Sequence, residues 1–88
     1  MYEIEVMPSC EKAVRKACKK NAALERVIER KISEIRQNPE RYKPLKHDFS
    51  GEYMVHILKS FVLIFTVSVE RQCITLISFA HHDDVYRR

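Results

Sequence analysis

The 88-residue sequence contains a single glycine, Gly51, and no tryptophan. It also lacks internal repeats and low-complexity stretches, so a compact fold of regular elements with short connections is expected. Cysteine is sparse: Cys10, Cys18 and Cys73 are odd in number and widely spaced. That pattern fits reduced thiols, used as small core residues, better than a disulfide framework or a zinc site. No apolar run approaches the roughly 20 residues that a membrane helix needs. The opening Met1-Tyr2-Glu3-Ile4-Glu5-Val6 has no basic-then-apolar signal pattern. A single small domain spanning residues 1–88, soluble and cytoplasmic, is therefore expected.

What is present is charge and pattern. A formal charge of +4 and an isoelectric point near 9.1 point to nucleic acid or an acidic protein as partner, without choosing between them. Tyr2 to Val6 alternates apolar with acidic residues, the period of a half-buried strand, and Pro8 stops it. Ser9 is the expected N-cap of a first helix, whose apolar stripe is Cys10, Ala13, Val14, Ala17 and Cys18 and whose end lies near Asn21. Leu24, Val27, Ile28, Ile32 and Ile35 form the stripe of a second helix, which Asn38-Pro39 terminates. The two helices make a hairpin. The segment from Pro39 to Gly51 reads as an irregular connection pinned by Tyr42, Leu45 and Phe49.

Three strands follow, Tyr53–Ile57, Phe61–Val69 and Cys73–Phe79, and their short connections imply an antiparallel meander. Parity places Phe61, Leu63, Phe65, Val67 and Val69 on the face beneath the helices, with Val62, Ile64, Thr66 and Ser68 on the other. If Leu58-Lys59-Ser60 is a three-residue loop, Ile57 pairs with Phe61 and His56 points away from the core beside Val62. A two-residue turn would bury His56 instead. The predicted class is thus α+β: an N-terminal strand, a helical hairpin and a three-stranded meander, the helices covering one face of a four-stranded sheet.

The last strand delivers His81-His82-Asp83-Asp84-Val85-Tyr86 to the C-terminus. Imidazole is the side chain suited to giving and taking protons near neutral pH, and a sheet end is a rigid platform for it. The same residues, with His47 nearby, contain metal-ligand types. Adjacent residues rarely all converge on one ion, so a metal site is not expected. Five cations of the first helix, Lys12, Arg15, Lys16, Lys19 and Lys20, face only Glu11. They form either a patch for RNA phosphates or a solvated helix face.

This order of elements, with Lys43-Pro44-Leu45-Lys46 leading into Phe49-Ser50-Gly51-Glu52-Tyr53, the strand Phe61-Val62-Leu63-Ile64-Phe65, and Ile77-Ser78-Phe79 leading to a tyrosine, resembles the RelE/ParE superfamily of type II toxins. The resemblance covers nearly the whole chain. It implies an antiparallel sheet with a helical hairpin on one face, RNA chemistry on the opposite face, and a cognate antitoxin that masks it. Met54, His56 and Val62 stand where RelE itself relies on lysines and arginines, and the histidines are similar to the YafQ branch instead. On that likeness His47, His56, His82 and Tyr86 match site residues, His81 is an additional candidate, and Lys46 joins the RNA-binding set. An aspartate of that branch falls near Ser60 here, so on that likeness one functional group is either missing or supplied by Asp83 or Asp84.

The resemblance further implies a ribosome-dependent endonuclease that cuts messenger RNA by attack of the ribose 2′-hydroxyl, with no metal and no small-molecule cofactor. Such a reaction needs a base, an acid and cations near the phosphate. His82 and His56 are the expected proton-transfer pair, and Tyr86 a stacking or phosphate-positioning group. Blander readings stand beside these. His82 is also a residue type that caps a short helix, His47 one that steadies a turn beside Asp48, and Tyr86 one that packs on a sheet edge. Two other functions are compatible with the scaffold: a ParE-like inhibitor that binds DNA gyrase without hydrolysis, and a degenerate member that only binds antitoxin. A pure binder has no need of an imidazole cluster on the open face.

Overall fold

The computed structural model describes residues 1–44 and 51–83. In chain order these form β1 (Glu3–Val6), α1 (Pro8–Cys18), α2 (Ala22–Gln37), a 3₁₀ turn (Pro39–Arg41), β2 (Lys43–Pro44), β3 (Glu52–Ile57), β4 (Phe61–Ser68) and β5 (Cys73–His81). The strands make one sheet in the order β1-β5-β4-β3-β2. β1 runs parallel to β5, with Ile4 opposite Ile74, because the helical hairpin and the meander intervene between them. The remaining pairings are antiparallel.

The first helix begins two residues earlier than the sequence suggests. Met7, not Ser9, is the N-cap and Pro8 occupies the first helical position, where its fixed φ fits and its missing N–H costs nothing. Met7 N–H donates to the Leu76 carbonyl at 2.9 Å, which fixes the helix start against β5. The helix closes at Cys18, and Asn21 serves as cap of α2 instead, its side-chain oxygen accepting from Leu24 N–H at 3.0 Å. Asn21→Ala should therefore destabilise the protein by about 1 kcal/mol. That corresponds to a melting temperature lower by about 4–8 °C, read by thermal unfolding. As expected, α2 ends at Asn38-Pro39.

Part of the connection expected to be irregular is ordered. Lys43 and Pro44 pair with Met54 and Tyr53, so a two-residue strand widens the expected four-stranded sheet to five. Proline is tolerated there because β2 is an edge strand. Gly51, just before β3, has a φ of 66°, the left-handed region that glycine enters freely.

The helices cover one face of the sheet, and Leu24, Ile28, Ile35, Leu63, Phe65 and Leu76 lie in the core between them. Phe61 and Val67 pack against that core as parity predicts. Val69 does not: β4 ends at Ser68, and Val69 stands 60% exposed in the following turn. Cys10, Cys18 and Cys73 are free thiols. Burial pushes the Cys10 thiol above its usual range, and burial followed by the Glu25 and Glu29 carboxylates does the same for Cys18. Among the described residues no helix is long and apolar enough to cross a membrane.

Candidate functional site

Two structural details place the histidines. The first is the hairpin between β3 and β4, where Ile57 pairs with Phe61 and Leu58-Lys59-Ser60 form a three-residue connection. His56 therefore lies opposite Val62 and points away from the helices, and it is exposed. The second is a β-bulge in β5. Phe65 pairs with Leu76 and Ile64 with Ser78, which leaves Ile77 as the extra residue. Before the bulge Ile74 and Leu76 face the core; after it Phe79 does, so the alternation has changed parity.

Alternation sends the adjacent histidines to opposite faces, and the bulge decides which of them takes the open one. His81 lies opposite Phe61, on the helical side, and its ring meets the Phe61 ring edge-on at a centroid distance of 5.7 Å. His82 is directed to the open side, and its N–H donates to the Ser60 carbonyl at 2.6 Å, one step past the strand. There its ring lies 5.6 Å from that of His56, tilted by 36°. The structure thus brings together the two histidines that the sequence pairs, and separates His81 from them.

Asp83 sits between the faces. Its carboxylate lies 3.7 Å from His82 Nδ1 and 3.8 Å from His81 Nδ1, ion-pair distances rather than hydrogen bonds. Its backbone N–H donates to His81 Nδ1 at 3.2 Å. Among the described residues Asp83 is therefore an acidic group beside the pair. Met54, Val62, Ile64 and Ala80 share ladder positions with the open face through the pairings Met54–Ile64 and His56–Val62–Ala80. Hence apolar residues surround the two imidazoles within the strands.

Sequence reasoning missed one cation near this site. Lys59 is exposed at the hairpin tip with a φ of 65°, and its neighbour Leu58 has a φ of 54°. Both are left-handed, a strain of about 1–2 kcal/mol per residue for non-glycine side chains. The signal was a lysine in the middle of a connection immediately following His56. Lys59 adjoins Ser60, whose carbonyl holds His82.

The expected basic patch on α1 divides in two. Lys12, Arg15, Lys16, Lys19 and Lys20 are all exposed, but Arg15 is paired with Glu11 at 3.0 Å. Arg15 and Lys19 border a cavity of about 400 Å³ that includes Val14, Cys18 and Leu76. Lys16 borders a different cleft together with His81. Both lie on the helical side, so α1 does not join the His56–His82 pair. Among the described residues no group of three or more histidine, cysteine or carboxylate side chains is arranged to hold a metal ion. Lys46, His47, Asp84 and Tyr86 lie outside the described residues.

Comparison with known proteins gives a consistent answer. The sequence matches the ParE toxin family of type II toxin–antitoxin systems, parDE, over residues 4–86. A protein of Methanocaldococcus jannaschii named for the RelE toxins (RelE4) is 43% identical over 88 residues, covering 100% of this chain and 94% of that one. The intact Escherichia coli RelBE toxin–antitoxin complex contains a chain with a TM-score of 0.74 at 19% identity, covering 91% of this chain and 95% of that one. Escherichia coli YafQ has a TM-score of 0.73 at 14% identity, covering 98% and 99%. At such identities the last two likenesses concern the fold. The family match and the full-length relative go further, and together they show that this chain belongs to the RelE/ParE superfamily of type II toxins, within the ParE toxin family.

Proposed function

We propose that this toxin is a metal-independent endoribonuclease that cuts messenger RNA on the ribosome, in the cytoplasm, and that a cognate antitoxin protein masks its open face. The observation that carries the reading is the His56–His82 pair, 5.6 Å apart on the sheet face that the helices leave uncovered. Two imidazoles so placed reach both sides of one phosphodiester. One takes the proton of the ribose 2′-hydroxyl as its oxygen bonds to phosphorus. The other gives a proton to the 5′ oxygen as the P–O5′ bond breaks. The products are a 2′,3′-cyclic phosphate and a 5′-hydroxyl end, with no net proton consumed. Lys59 supplies positive charge at the rim of the site, and Asp83 orients His82 through its Nδ1 side. His47, Tyr86 and Lys46 complete the site by sequence likeness alone.

A second reading is a gyrase inhibitor acting by binding. It is favoured by the match to the ParE family and by apolar Met54 and Val62 beside the histidines. One experiment separates the two: ribosomes programmed with messenger RNA are incubated with the protein, and cuts are mapped by primer extension. Cuts that disappear with His56→Ala and His82→Ala support the nuclease. Gyrase inhibition without cuts supports the binder, and cuts that survive the double substitution sink the histidine mechanism.

A further inference from the structure

The helical side of the same sheet end carries a second feature, a cleft of about 420 Å³ between Ala13, Lys16 and Ala17 of α1 and the strand ends bearing Phe61, Phe79 and His81. Its volume lies in the range of small-ligand sites. The two alanines, one turn apart, keep α1 from filling it. Its floor is aromatic: Phe61 stacks on Phe79 with centroids 5.1 Å apart and planes 13° apart, and His81 closes one side edge-on to Phe61. Phe61 is only half-buried, so part of its ring opens to the cleft.

The polar groups at the rim are donors. Asp83 N–H donates to His81 Nδ1 at 3.2 Å, so the neutral ring carries its proton on Nε2. Among the described residues no carboxylate pairs with Lys16, in contrast to Arg15 on the neighbouring row. Lys12 lies one helical turn before Lys16 on the same row, adding positive charge. The Asp83 carboxylate approaches His81 from the Nδ1 side, away from the donor.

We propose that this cleft is a nucleotide subsite for the single-stranded RNA flanking the cut, with a base against Phe61 and its phosphate held by Lys16 and His81 Nε2–H. The inference rests on the RNA-cleaving reading and adds a binding site to it. Strand alternation sends the consecutive His81 and His82 to opposite sides of one sheet end, and the bulge puts His81 on the cleft side, so a strand leaving the His56–His82 pair reaches the cleft by rounding that end. An aromatic floor accepts any base, because every base has a π-face, and cations at the rim complement phosphate rather than sequence. An acidic peptide would use the cations but leave the stacked aromatic floor without a matching flat partner.

The test uses short 2′-O-methyl oligoribonucleotides, which lack the nucleophile and are not cut, with binding followed by fluorescence anisotropy over a salt series. Lys16→Ala and His81→Ala are each expected to weaken binding about 3–10-fold, and Lys16→Ala to lower the log–log salt slope by about 0.7. Phe61→Leu should weaken it about fivefold or more. Because that change touches packing, the ring resonances of Phe61 and His81 in the unaltered protein are followed by NMR during the same titration, and both should shift. Unchanged affinity and slope in the Lys16 and His81 variants, or unmoved resonances at saturating RNA, would overturn the subsite. Shifts produced by an acidic peptide but not by RNA would overturn it in favour of a protein partner. Binding at the cleft by a protein that cuts nothing on the ribosome would overturn the nuclease reading and leave the subsite standing.

Discussion

His82→Ala is expected to slow messenger-RNA cleavage on the ribosome by about 10²–10⁴-fold, the usual contribution of a positioned general acid or base. His56→Ala should cost a comparable factor. The double variant should resemble the worse single variant rather than the product of the two, because groups that act on one transition state are not additive. The magnitude depends on rigid placement. His82 is anchored through its backbone to Ser60, and His56 lies within a paired strand, so neither imidazole must be ordered when substrate arrives. Both side chains are accessible, His82 at 41% of its side-chain surface, so truncation leaves the core intact. Stability should therefore stay within about 0.5 kcal/mol of the unaltered protein. Single-turnover cleavage of programmed ribosomes, with thermal unfolding measured alongside, checks both halves. A large loss of stability would show that the ring is structural, and full cleavage would remove it from the chemistry.

The degree to which this site could be read from the sequence differs along the chain. The faces of β3 and β4 are legible because Tyr53 to Ile57 and Phe61 to Val67 set their largest apolar residues on one side. The loop length then decides where His56 points, and the observed pairing of Ile57 with Phe61 is the one that exposes it. β5 is less legible. Cys73-Ile74-Thr75-Leu76-Ile77-Ser78-Phe79-Ala80 is apolar at almost every position, so alternation is muted and an inserted residue leaves no gap. The only trace of the bulge is that core residues fall at Ile74, Leu76 and then Phe79, a step of three. That step decides which histidine joins His56. The α1 cations show the same limit: Lys12 and Lys16 belong to one row, and Glu11, Arg15 and Lys19 to the next. Their count looked like one patch, whereas the rows border different cavities. β2 had no signal, since two residues ending in proline form a strand only where an edge accepts them.

The largest effect on stability is expected from Phe65→Ala, at about 3–5 kcal/mol. Phe65 is fully buried on β4, the middle strand of the sheet. Tyr53 stacks on it at 5.5 Å with planes 14° apart, and Tyr42 meets it edge-on at 5.9 Å. Leu76, its cross-strand partner, is the last residue before the bulge. Removing the ring leaves a cavity that two large tyrosines cannot fill without losing their own contacts, which places the cost in the upper range for aromatic truncation. Against a total stability of about 5–15 kcal/mol, the variant should unfold at least about 12 °C lower. Denaturant titration should show a lower midpoint with an unchanged slope. A loss under about 1 kcal/mol would mean that the tyrosines collapse into the space, and the packing around β4 would need revision. The consequence for activity also differs from that of His82→Ala. β4 holds Val62 between His56 and Ala80, so unfolding it separates the two histidine-bearing strands. The Phe65 variant should therefore lose cleavage steeply with temperature and keep it in the cold, whereas the His82 variant should be inactive while still folded.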